Sequence, residues 1–99
     1  MRTLSGAIES FVRRGFTEHF RVVGDTLRAL ESGKVFGANE AVIREYDRFE
    51  GASDPDDMSI VYAIESVDGT RGTLVDAFGV YSNPVVSAFL DNVRIQRAP

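Results

Sequence analysis

Ser59-Ile60-Val61-Tyr62-Ala63-Ile64-Glu65-Ser66-Val67-Asp68-Gly69-Thr70-Arg71-Gly72-Thr73-Leu74-Val75-Asp76-Ala77-Phe78-Gly79-Val80-Tyr81 is the stretch that decides the fold of this chain. The run Ile60 to Ile64 is too β-branched and too short for a helix, and it reads as a central strand. Val67-Asp68-Gly69-Thr70 holds the Asp-Gly pair of a primed turn, in which glycine accepts the positive φ that the turn requires. Another strand follows from Thr73 to Tyr81, apolar on both faces, so covering elements are needed. Upstream, a β-rich stretch from Val42 to Phe49, imperfect in its alternation, leads into the turn-rich loop Gly51-Ala52-Ser53-Asp54-Pro55-Asp56-Asp57. Three strands in sequence order, joined by a loop and a tight turn, predict an antiparallel meander from about Val42 to Tyr81.

The flanks supply the rest. Before the meander, Phe20 to Val23 and Thr26 to Leu30 flank Gly24-Asp25, which predicts a two-residue hairpin. Leu4, Ile8, Phe11 and Val12 recur at helical spacing between a capping Thr3 or Ser5 and a terminating Gly15, so a helix is expected from about Leu4 to Arg14. After the meander, Asn83-Pro84 is a cap followed by proline at the first helical position, and Val85, Val86, Phe89, Leu90 and Val93 form one apolar stripe. The expected fold class is therefore α+β. Its sheet is antiparallel, a hairpin plus a three-stranded meander, with the N-terminal and C-terminal helices covering one face. Residues 1–99 read as one domain, without repeats or linkers.

Composition excludes several classes. At 99 residues, 43% of them hydrophobic and seven of them phenylalanine, the chain can bury a core, yet a monomer this small is expected to be marginal, which favours a homodimer. Eleven basic against fifteen acidic side chains give a net charge of −4, and the arginines are scattered, which argues against a nucleic-acid partner. There is no cysteine, so thiolate metal sites and disulfides are excluded. No apolar run approaches the ~20 residues of a membrane span, and Glu9 and Ser10 interrupt the amino-terminal segment, so no membrane association is expected and a cytoplasmic protein is predicted.

Tyr46-Asp47-Arg48-Phe49-Glu50-Gly51, Ser53-Asp54-Pro55-Asp56-Asp57, Tyr62-Ala63-Ile64, Asp68-Gly69 and Leu74 to Tyr81 together resemble a family of short bacterial proteins. Its members are uncharacterised in function and often carry the label "phosphoribosylpyrophosphate synthetase". Enzymes of that name carry a phosphoribosyl-binding loop in which an apolar strand meets two adjacent acids and then a small residue, Thr and Gly. Here Asp76 stands where the first acid would, Ala77 replaces the second, Phe78 follows, and no Thr-Gly pair closes the loop. The resemblance thus implies the family and not that activity.

Four groups of residues are candidates for chemistry. Asp54, Asp56 and Asp57, with Glu50 just before them, concentrate the oxygen ligands a hard cation would need. Counted from Asp54, however, Met58 and Ser59 occupy the fifth and sixth positions of a calcium loop, so a solvated turn is expected there and no metal. Asp76 shares a strand face with Leu74, Phe78 and Val80, and a carboxylate there requires a partner, expected to be Arg48 or Arg44 on a neighbouring strand. His19, the single histidine, reads as exposed surface. Tyr46, Phe49, Tyr62, Phe78 and Tyr81 read as cross-strand packing.

Two functions fit these signals. No nucleophile–base pair, phosphate loop or ligand constellation is present, so a small non-catalytic binding or regulatory module without a cofactor is expected. The alternative is a small enzyme or binder of an anionic, phosphorylated metabolite, with Arg48 holding the anion and Asp76 or Glu50 as the acid–base group.

Overall fold

A computed structural model describes residues 3–49, 58–77 and 82–96. Helix α1 (Leu4–Arg13) is followed by strands β1 (Glu18–Val23), β2 (Thr26–Ala29) and β3 (Val35–Gly37), and then by a single 3-10 turn (Ala38–Glu40). Strands β4 (Ala41–Phe49), β5 (Ser59–Ser66) and β6 (Arg71–Ala77) come next, then helix α2 (Pro84–Leu90) and the short strand β7 (Arg94–Ile95). Local chemistry accounts for the element ends. Thr3 Oγ1 accepts the Gly6 N–H at 3.0 Å to start α1, and Asn83 Oδ1 accepts the Val85 N–H at 2.9 Å to start α2. Gly24 takes φ +61° in the hairpin turn, where Val23 faces Thr26.

The seven strands form one sheet in the order β3-β2-β1-β6-β5-β4-β7. Strands β4, β5 and β6 pair antiparallel in sequence order, as the turn chemistry requires. The expected fold class is nevertheless wrong: the sheet is mixed, not antiparallel, because β1 runs parallel to β6 and β7 runs parallel to β4. The sheet also curls into a half-barrel. In a flat sheet β3 and β4 would lie five strand spacings apart, about 24 Å. Only the three residues of the 3-10 turn connect them, a reach of about 14 Å at most. The sheet must therefore wrap round until its edges approach.

Curling gives the two faces different cores, and here a second expectation fails. The helices do not share a face. On the concave side, Phe20, Leu27, Phe36, Ile43, Ile64 and Leu74 pack with Val86 and Phe89 of α2. On the convex side, Val61 and Ala63 pack with Phe11 and Phe16, and Leu4, Ala7 and Ile8 of α1 close over them. Strand β5 is consequently buried on both faces, which is why its sequence is a continuous apolar run.

Two ionic clusters tie the hairpin to its surroundings. In the β5–β6 turn, Asp68 accepts from the Ser66 hydroxyl, from the Thr70 N–H at 2.9 Å and from Lys34 Nζ at 3.2 Å, joining that turn to the β2–β3 loop. These donors, the Ser66 hydroxyl foremost, hold its carboxyl well below the ordinary carboxylate range. Glu31 accepts the His19 N–H at 2.7 Å and also contacts the His19 ring, and the backbone bond above all lowers its pKa to about 2. Both carboxyls are more acidic folded than unfolded, so their support is complete above the ordinary values of 4.5 and 3.8 and is lost as pH falls through the folded values. The melting temperature should therefore fall as pH drops from 4.5 to about 2, and the fall should be shallower in E31Q and D68N than in wild type.

Candidate functional site

Strand register assembles a polar cluster on the concave face. Ile60 of β5 faces Arg48 of β4 on one side and Asp76 of β6 on the other. One rung deeper, Tyr62 faces Tyr46 and Leu74, and the two tyrosine rings lie 6.3 Å apart between centroids. Deeper again, Ile43 and Ile64 begin the apolar core. Arg48, Tyr46, Tyr62 and Asp76 thus surround Ile60 at the polar end of an otherwise apolar face.

A β-bulge brings Arg48 there. By strict alternation from Ile43, the residues sharing its face would be Glu45, Asp47 and Phe49. The register instead shifts between Ile43 and Glu45, so Tyr46 and Arg48 join the concave face, while Glu45 and Asp47 turn to the convex side. Arg44 is the extra residue. Its Nε donates to Glu65 Oε1 at 3.0 Å and its guanidinium also donates to the Gln96 carbonyl at 3.2 Å. It is therefore not the partner of Asp76.

Asp76 is half-buried, and its Oδ1 accepts the N–H of Asn83 at 3.4 Å. Among the described residues its hydrogen-bond donor is thus the N-cap of α2. The contact is long and lies near the surface. Tyr62 is the group whose chemistry the cluster alters: burial raises its hydroxyl pKa, the Asp76 charge adds to the rise, Arg48 opposes it, and Tyr46 contributes a further increase. A hydroxyl so placed keeps its proton at neutral pH and serves as a hydrogen-bond donor.

The cluster lies next to a broad cleft. That cleft, about 910 Å³, runs between the β1–β2 turn, the 3-10 turn and α2, with Ala38, Val85 and Phe89 as its apolar lining and Asp25, Asn39 and Asn92 at its rim. The first turn of α2 belongs to both places, since Asn83 holds Asp76 while Pro84 and Val85 line the cleft. A smaller groove of about 330 Å³ separates α1 from β4 and is bordered by the Arg14–Glu45 ion pair.

Of the candidate residues, Arg48 and Asp76 are brought to one face. Glu50, Asp54, Asp56 and Asp57 lie outside the described residues, and among the described residues no three His, Cys, Asp or Glu side chains are placed to hold a metal. His19 is exposed and engaged with Glu31. Sequence reasoning treated Tyr46 and Tyr62 as packing and missed their place beside the charged pair; the imperfect alternation of Val42 to Phe49 was the signal. No helix among the described residues is long and apolar enough to cross a membrane. Comparison of the chain with family models, with curated proteins and with solved structures finds no match in any of the three.

Proposed function

We propose that this protein is a small non-catalytic binding module that takes an anionic organic molecule on the concave face of its half-barrel. The observation that carries this reading is the rung Arg48–Ile60–Asp76 set above the Tyr46–Tyr62 pair. Arg48 supplies a charge for a carboxylate or phosphate, the tyrosine rings, tilted 44° to each other, supply aromatic contact, and Asp76 accepts a hydrogen bond from the ligand. The reading places the protein in the cytoplasm, working as a homo-oligomer without nucleic acid, within the family of short bacterial proteins that the sequence resembles.

Phenyl phosphate combines the required charge and ring and serves as the probe. In a ¹H–¹⁵N titration, the amides of Tyr46, Arg48, Tyr62 and Asp76 should shift together, and R48A should weaken binding at least about tenfold, equivalent to about 1.4 kcal/mol. D76A should change the melting temperature little, since the Asn83 N–H it leaves can bond to water, while altering binding. Shifts scattered over other surfaces, or equal affinity in R48A, would refute the site.

A further inference from the structure

Among the described residues, the convex face is only partly covered. The registers Arg21↔Arg28, Val23↔Thr26 and Arg28↔Val35 put these side chains opposite to the buried Phe20, Leu27 and Phe36. Extending the parallel register of β1 with β6 two residues beyond His19↔Thr73 brings Arg21 beside Val75. One rung on this face therefore reads Val35, Arg28, Arg21, Val75. Val23 lies to one side of it, and Leu30, whose N–H bonds the His19 carbonyl at 2.8 Å, lies to the other.

Helix α1 borders this patch. Leu4, Ala7, Ile8 and Phe11 point into the convex core, and Thr3, Gly6, Ser10 and Arg14 line the groove beside β4. At about 100° per residue, Ser5, Glu9 and Val12 fall on the opposite flank, toward β6 and the hairpin. Val12, Val23, Leu30, Val35 and Val75 are between 37% and 54% exposed, an unusual set for one side of a small protein. Arginines placed directly across a strand pair repel each other. Among the described residues no carboxylate forms an ion pair with Arg21 or Arg28, and no cation forms one with Glu9.

We propose that this face is the contact between two copies of the chain. A two-fold axis places the α1 flank of each copy on the hairpin of the other, so that Glu9 enters between Arg21 and Arg28 of the second copy while Val12 packs against Val23 and Val75. The aliphatic side chains supply apolar area to bury, and arginine is a residue type enriched at interfaces. Charge complementarity selects a second copy, because the unpaired cations and the unpaired anion lie on the same surface. This inference rests on the homo-oligomer of the proposed reading and uses none of the residues that bind the ligand, so the dimer contact and the ligand site can each fail alone.

The test is sedimentation equilibrium of the full chain at roughly 50 μM, where a micromolar dimer is populated. Wild type should sediment at twice the chain mass. R28E and E9R should each be predominantly monomeric while keeping the wild-type circular dichroism spectrum, and E9R/R21E/R28E, which re-forms both pairs with signs exchanged, should recover the dimer. If R28E does not fold, R28A at the same exposed position gives the same reading. A monomeric wild type, a dimer indifferent to both single changes, or a monomer that instead binds a polyglutamate peptide overturns the proposal, the last by assigning the face to an acidic partner.

Discussion

Gly72→Ala should destabilise the protein by about 3 kcal/mol, which for a chain of this size lowers the melting temperature by roughly 12–24 °C. A Cβ at Gly72 would lie 2.3 Å from the Glu18 carbonyl oxygen and 2.8 Å from its carbonyl carbon. These atoms are backbone, held in the parallel pairing of β1 with β6, so nothing can swing aside. That pairing is the seam between the hairpin half of the sheet and the meander half, and it spans only Glu18↔Gly72 and His19↔Thr73. Relief of the clash requires the strands to separate, which would also loosen the packing of Phe20 against Leu74 across the seam. Gly69→Ala is the useful contrast. A methyl there meets no atom within 4 Å, and its effect comes from φ +87° alone, so it should be the milder variant in chemical denaturation.

Gly72 also marks where sequence reasoning stops. The hairpin at Gly24-Asp25, the two helix caps and the antiparallel order of β4, β5 and β6 were legible because each depends on residues within a few positions of one another. The β1–β6 seam joins residues more than fifty apart in the chain, and no turn chemistry announces it. Strands β3 and β7 were missed for a different reason: three residues and two residues are too short to display a period-two pattern. Opposite-face placement of α1 and α2 follows from the curl, and the curl follows from the short link between β3 and β4, a fact about topology. At the site, Arg48 and Asp76 were recognisable as charged residues on β-strands. The bulge at Arg44 was not, so the strand's alternation could not be assigned, and the role of the two tyrosines went with it.

Phe89→Ala should cost about 3–5 kcal/mol, a large share of the total stability expected for a domain of this size. Phe89 and Val86 are the buried side chains by which the seven-residue α2 enters the concave core, with Leu90 packed partly buried beside them. So short a helix is not stable alone and depends on that anchoring. Its ring packs among side chains drawn from both halves of the curled sheet, including Phe20 and Leu27 from the hairpin and Ile64 and Leu74 from the meander, which cannot collapse together without flattening the curl. Val85→Ala provides the control, because Val85 is 49% exposed on the same helix and its truncation should stay within about 0.5 kcal/mol. The functional consequence separates the two further. Loss of the Phe89 anchor frees the first turn of α2, and with it the Asn83 N–H that holds Asp76, so hydrogen exchange at Ser87 and Asp91 should accelerate and phenyl phosphate binding should weaken in F89A even at temperatures where the sheet remains folded. Val85→Ala should leave exchange at both amides unchanged. If α2 stays protected in F89A, it is held by contacts other than the concave core, and the link from core packing to the Asp76 site is broken.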